Sequence, residues 1–292
     1  MPDDRRLLAS YLSVLGLHDS TDGARLRRGQ FHDVVLLDEV AYRFPRDEES
    51  RRMMPARAAL LDTLTGAADA GIGLRAALIP KPLAEPDMSQ PVGRCHVALR
   101  RLHGRQLSRD EASSPGVLAE LTGVLDALGG LGRQPEIGAA VPPADPRYWE
   151  RFADEVGRIL FPLMSDSGRH LAAAELAAVK TVNPTGDALV HGDLGGTNLL
   201  WTGTESRFRL TGILDWDKAH IGSQADDLAS LATMLGWPAV ERLDRQRHGG
   251  RCPTIADARI IETTFALQQA LPAALNGDAE ALADGLTRYT AK

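Results

Sequence analysis

Ala188-Leu189-Val190-His191-Gly192-Asp193-Leu194-Gly195-Gly196-Thr197-Asn198, with Ile213-Leu214-Asp215-Trp216-Asp217 shortly after it, is the stretch from which the rest of the chain is read. An apolar entry leads to a carboxylate, Asp193, beside a glycine-rich bend. An amide, Asn198, stands five positions on, and a second carboxylate, Asp215, ends a short apolar run. Taken singly, these residues are turn formers and strand-end caps. Taken together, they are the inventory of a phosphoryl-transfer centre.

The chemistry explains the residue types. A transferring phosphoryl group spreads its charge over equatorial oxygens, so catalysis is mostly positioning plus neutralisation by cations. Mg²⁺ takes oxygen ligands and keeps several waters, so one carboxylate, one amide oxygen and the nucleotide phosphates suffice. Asp215 and Asn198 match that need. The acceptor hydroxyl requires a group to orient it and take its proton, and Asp193 is the candidate. His191 is read as bracing the loop by hydrogen bonds rather than transferring a proton.

His191, Asp193 and Asn198 fit a His-x-Asp-x-x-x-x-Asn pattern, and with Asp215 they resemble the catalytic residues of the aminoglycoside phosphotransferase family. The resemblance implies a two-lobed, protein-kinase-like α/β (α+β) fold, with a small strand-rich lobe over residues 1–99, a hinge at 100–107 and a larger, mainly helical lobe over 108–292. ATP (or GTP) with Mg²⁺ is expected in the cleft. Four segments narrow the likeness: Gly29-Gln30-Phe31-His32-Asp33-Val34-Val35, Leu160-Phe161-Pro162-Leu163-Met164-Ser165-Asp166, the loop His191 to Gly196, and Phe265-Ala266-Leu267-Gln268-Gln269-Ala270. Together they are similar to the phosphotransferases of cyclic peptide (tuberactinomycin) antibiotics, viomycin and capreomycin. Gly195-Gly196 stands where the broader family usually has His-Pro or a similar pair. The implied activity is an antibiotic-resistance kinase acting on a hydroxyl of a cationic cyclic peptide. An aminoglycoside, a macrolide or a metabolite as acceptor stays open, as does a kinase-shaped protein that only sequesters its ligand. A hydrolytic metal centre is disfavoured, because His220 is the only further histidine nearby.

The resemblance also assigns the N-terminal region. Two strands, Phe31 to Leu37 and Val40 to Phe44, flank an Asp38-Glu39 turn. Arg43 stands where the family carries a phosphate-binding lysine, and an arginine fork can still hold phosphate oxygens. The helix over roughly 47–64 should supply the acid paired with that cation, yet Arg57 occupies the position, so either Glu48 or Glu49 substitutes or the cation is held some other way. Backbone groups around Arg100 and Leu102 are expected to bind the nucleotide base after a strand from Cys95 to Leu99. Asp227, early in a later helix, is implied to support the catalytic loop. Asp217 and, by composition alone, Glu262, Asp278, Glu280 and Asp284 are the candidates for receiving an acceptor's ammonium groups.

Elsewhere helical spacing dominates. Leu7, Leu8, Tyr11, Leu12 and Leu15 predict a helix over 5–15. Another should open at Ser114-Pro115 and close at Gly129-Gly130, before a long loop over 129–146. Helices are expected after Asp145-Pro146 and Ser165-Asp166, then from Ile255 to Leu275 and from Ala279 to Tyr289. There is no Gly-x-x-x-x-Gly-Lys loop.

Composition is permissive. The 292 residues are 43% hydrophobic and 25% charged, which suits a folded enzyme rather than a disordered chain. With 33 Lys and Arg against 39 Asp and Glu, net charge is -6, so no nucleic-acid partner is expected and a cationic ligand is favoured. Cys95 and Cys252 read as two reduced thiols. With no spanning run and no signal-peptide core, no membrane association is expected and the cytoplasm is the expected compartment. Nothing fixes the oligomeric state; a monomer is the expectation.

Overall fold

A computed structural model describes residues 2–17, 23–29, 31–204, 207–249 and 253–290; Gln30 and Cys252 lie outside them. In chain order, the elements are α1 (Pro2–Val14), β1 (Arg25–Arg28), β2 (His32–Leu36), β3 (Val40–Pro45), α2 (Glu48–Asp69), β4 (Val97–Arg100), α3 (Arg109–Ala112), α4 (Pro115–Leu131), α5 (Pro135–Ala140), α6 (Tyr148–Ile159) and α7 (Asp166–Val179). After these come β5 (Ala188–Val190), β6 (Leu199–Thr202), β7 (Arg209–Ile213), β8 (His220–Gly222), α8 (Ala225–Leu235), α9 (Trp237–His248), α10 (Pro253–Thr263), α11 (Phe265–Asn276) and α12 (Ala279–Thr290). Strands cluster towards the N-terminus and helices towards the C-terminus, the mixed α/β pattern expected of a kinase-like chain.

Contacts divide the chain into two units that do not follow its order. One unit comprises residues 1–120, 134–141 and 197–217; the other comprises 121–133, 142–196 and 218–292.

In the first unit, β1 to β4 form an antiparallel meander, with Arg43 opposite Val34 on one side and Val97 on the other. The hairpin turns at Asp38-Glu39, where the Leu37 N–H donates to the Val40 carbonyl at 2.8 Å. Tyr11 and Leu12 of α1 pack on Val35 and Phe44, with the Tyr11 and Phe44 rings stacked 4.1 Å apart. The strand β1 was not anticipated: Arg25-Leu26-Arg27-Arg28 lacks apolar alternation, which an exposed edge strand can tolerate. Asp47 caps α2 by accepting the Ser50 N–H at 2.7 Å, so the helix starts as expected, but it runs on to Asp69. A second antiparallel pair, β6 with β7, belongs to the same unit and sets Leu199 opposite Ile213.

In the second unit, β5 pairs antiparallel with β8, Leu189 facing Ile221. Along the chain the structure corrects three expectations. Helix α4 continues through Gly129-Gly130 to Leu131, because glycine weakens a helix without ending it. The glycine that matters is Gly132, where a Cβ would lie 2.2 Å from the Leu189 N and the Asp187 carbonyl. Within the expected loop of residues 129–146 lies the short helix α5, part of the first unit. The single C-terminal helix expected to Leu275 is two, broken at buried Thr264, whose hydroxyl donates back to the Ile261 carbonyl. Helix α9 was not anticipated. Cys95 is buried with a free thiol. Among the described residues, no helix is long and apolar enough to cross a membrane.

Candidate active site

The first unit gathers Arg43, Asp215, Asp217 and Asn198. The Leu214 N–H donates to the Asn198 carbonyl at 2.8 Å, which ties the chain leaving β7 to the start of β6. Trp216 is buried, and its Nε1 donates to the Ile213 carbonyl at 3.0 Å, anchoring a sharp turn. Asp215 lies inside that turn at φ 59, the single non-glycine residue with positive φ among those described. Such a conformation costs on the order of 1 kcal/mol and persists where surrounding contacts hold it. Its side chain is 50% exposed, so a hard cation can reach the carboxylate. Asp215 and Asn198 supply the oxygen donors Mg²⁺ prefers. No group of three or more His, Cys, Asp or Glu forms a metal cluster among the described residues, and an ion that keeps its waters and takes phosphate oxygens needs none.

Asp217, two residues on, meets Arg43. The guanidinium grips it as a fork: Nη1 donates to Oδ1 at 3.1 Å and Nη2 to Oδ2 at 2.8 Å. Nη2 also reaches His32 Nδ1 at 3.1 Å and Asp215 Oδ1 at 3.4 Å. Arg57 Nη1 lies 3.3 Å from the same Asp217 Oδ2. Burial, with the Arg43 charge second, pushes the His32 imidazole down to about 3, so it stays neutral and accepts from Arg43. Burial alone would raise the Asp217 carboxyl, but Arg43, then Arg57, outweigh it and hold it below the ordinary value.

The partner of Arg43 is therefore Asp217, not Glu48 or Glu49; Glu48 pairs with Arg51 at 3.3 Å. His32 and Arg57 were missed as site residues. The segment around His32 stood out in the sequence, but nothing there revealed that Arg43 would reach it. Arg100 spends its guanidinium on the Ala76 and Ile79 carbonyls, at 2.5 and 2.8 Å, and its N–H on the Lys81 carbonyl. By contrast, no described residue hydrogen-bonds to the backbone of Leu102.

The second unit holds the loop. His191 is fully buried and Gly192 follows at φ 81, where a Cβ would come within 2.7 Å of the Lys218 carbonyl. Buried Asp227, in the first turn of α8, accepts the His191 N–H on Oδ2 at 3.0 Å and the Gly192 N–H on Oδ1 at 2.9 Å. The Asp193 N–H donates to His191 Nδ1 at 3.2 Å, which fixes the imidazole proton on Nε2 when the ring is neutral. Asp193 itself is half-buried. Gly196 lies against Met234, whose Sδ would be 3.1 Å from an added Cβ. Burial pushes the Asp227 carboxyl up to about 7 against the pull of its two N–H donors.

Of the candidate acids for an acceptor's ammonium groups in the C-terminal helices, Glu262, Asp278 and Asp284 have local partners. Glu262 accepts the Trp237 Nε1–H at 2.7 Å, with Arg259 stacked 4.3 Å over the indole. Asp278 caps α12 by accepting the Ala281 N–H at 3.1 Å, and Asp284 accepts from Gln269 at 2.8 Å. Glu280 lies exposed in the first turn of α12.

The sequence profile of the phosphotransferase enzyme family matches residues 23–261. The chain belongs to that family. Viomycin phosphotransferase from Streptomyces vinaceus is 37% identical over 284 residues, covering 95% of this chain and 96% of the relative. The GDP complex of wild-type aminoglycoside 2'-phosphotransferase-IIIa superposes with a TM-score of 0.73 at 18% identity, over 96% of each chain. Macrolide 2'-phosphotransferase type I gives 0.68 at 19% identity, over 100% of this chain and 98% of its own. These structures share the kinase-like fold, and the family member described here is a phosphotransferase whose structural neighbours include nucleotide complexes.

Proposed function

We propose that this phosphotransferase moves the γ-phosphoryl group of ATP (or GTP) to a hydroxyl of a cationic cyclic peptide antibiotic of the viomycin and capreomycin type. The observation that carries this reading is the near full-length match to viomycin phosphotransferase, in a chain that keeps Asp193, Asn198 and Asp215 at kinase spacing. Asp193 orients the acceptor hydroxyl and takes its proton as the oxygen–phosphorus bond forms and the β–γ bridge breaks, releasing the nucleoside diphosphate. Asn198 and Asp215 would hold Mg²⁺, which when bound neutralises phosphate charge. Arg43 faces the phosphates, and the unused backbone of Leu102 offers the base a donor and an acceptor. Asp227 holds the catalytic loop through its two N–H bonds. A net charge of -6 suits a cationic acceptor, and the proposed compartment is the cytoplasm, where ATP is.

The test is transfer of labelled γ-phosphate to purified viomycin or capreomycin. Parent protein should label the peptide, and Asp193→Asn should lower turnover by about 10²–10⁴-fold with the fold intact. Label appearing on aminoglycosides and not on the peptides would overturn the acceptor, and full activity of Asp193→Asn would overturn the base.

A further inference from the structure

Arg43, Arg57 and His32 form the polar end of a small pocket in the first unit, walled by Leu61, Val97 and Leu99. Two cations and two carboxylates, Asp215 and Asp217, converge there around a neutral imidazole. The carboxylates are not equivalent. Asp215 is half exposed, whereas Asp217 is 12% exposed with both oxygens engaged by Arg43. Arg57 approaches Asp217 closely, yet its buried Nε and Nη1 atoms have no hydrogen-bond partner among the described residues. A single Arg–Asp pair would be neutral and would offer an anion N–H donors but no net charge. With Arg57 present, the trio of Arg43, Arg57 and Asp217 carries a net charge of +1 once Asp215 turns to a cation.

We propose that Asp217 and Arg57 are positioning residues for nucleotide binding: Asp217 fixes the guanidinium of Arg43, and Arg57 balances Asp217 so that Arg43 keeps charge for a phosphate. This arrangement makes the acid on α2 unnecessary, since the acid arrives from the turn after β7. It also takes Asp217 away from the acceptor. The inference rests on the reading that Arg43 faces nucleotide phosphates.

The experiment measures binding of a non-hydrolysable ATP analogue with Mg²⁺ by calorimetry, without acceptor, alongside separate KM values for ATP and viomycin. Asp217→Asn should weaken nucleotide binding about tenfold and leave the viomycin KM within twofold. Arg57→Met should weaken it about threefold in the parent and add nothing in the Asp217→Asn background, because its role passes through Asp217. If Asp217→Asn does not fold, the double variant, which removes one charge of each sign, carries the comparison with Arg57→Met. Unchanged nucleotide affinity in the Asp217 variants, a shift confined to the viomycin KM, or equal Arg57→Met effects in both backgrounds would overturn the inference. A parent that binds nucleotide but leaves viomycin unlabelled overturns the proposed acceptor instead, and the calorimetry still decides this point.

Discussion

Asp227 and Asp217 are ten residues apart in sequence, both withdrawn from solvent, and burial raises the pKa of both. They end on opposite sides of the ordinary carboxylate value. Asp227 is met by two backbone N–H dipoles, which do not offset burial, and its carboxyl rises to about 7. Asp217 is met by two guanidinium groups, which do offset burial, and its carboxyl falls. Dipoles supply direction without net charge, so the first arrangement fixes the backbone of a loop. Full charges supply attraction as well, so the second leaves a cationic face to serve a ligand.

The largest expected effect comes from deleting the dipole-bound member. Asp227→Ala leaves the His191 and Gly192 N–H groups without their acceptor, a cost on the order of 2–4 kcal/mol. The loop carrying Asp193 would then lose its register, and turnover should fall about 100-fold or more. Asp227→Asn should lie between, since its carbonyl satisfies one N–H while its amide faces the other. Urea unfolding paired with turnover checks the order; equal stability of parent and Asp227→Ala would break the comparison at its first half.

Opposite pKa shifts predict opposite pH dependences. His32 titrates near 6.5 when unfolded and about 3 when folded, so the unfolded chain binds more protons between those values and stability falls as pH drops through them. Asp227 rises from 3.8 to about 7, so the folded chain binds more protons there and stability falls as pH climbs. The two largely cancel in the parent. His32→Gln should therefore gain on the parent as pH falls below about 6.5, and Asp227→Asn should gain as pH rises towards about 7. Each relative slope should reach up to about 1.4 kcal/mol per pH unit, read from unfolding curves at stepped pH. Parallel curves for parent and both variants would refute the two environments.

The two regions also differ in how far they were legible in the chain. The loop proposed as catalytic is local: His191, Asp193 and Asn198 lie within eight residues, and the glycine at 192 is where a positive φ and a close approach demand one. Asp227 could be named because it opens a helix at a recognisable distance. The arginine cluster is non-local, joining β3, α2 and the turn after β7. Sequence shows that the usual lysine and acid are replaced by Arg43 and Arg57, but not that a third segment provides the missing charge. The same limit explains the secondary-structure misses. Edge strand β1 hides behind its arginines, and α4 runs through a Gly-Gly pair that resembled a stop.

Arg43→Lys sharpens the second half of the comparison by restoring the residue type usual in the family. A lysine is a point charge without the planar fork, so it cannot bridge both Asp217 oxygens while touching His32. Nucleotide KM should rise by about tenfold, roughly 1.4 kcal/mol, despite conserved charge. Charge alone suffices if the lysine variant matches the parent in steady-state kinetics.

The smallest effect belongs to a third aspartate that the comparison isolates. Asp278 is exposed, has no cationic partner among the described residues and accepts one N–H at the start of α12. It has an N–H contact of the kind Asp227 makes, without the burial, and it lacks the guanidinium contacts of Asp217. Such a cap is worth about 1 kcal/mol when replaced by alanine. Asp278→Ala should therefore lower stability by that amount and leave the KM for both nucleotide and peptide antibiotic unchanged. Were the antibiotic KM to rise while stability held, Asp278 would be a ligand for an ammonium group, and the partners seen in the structure would be a poor guide to which acids meet the acceptor.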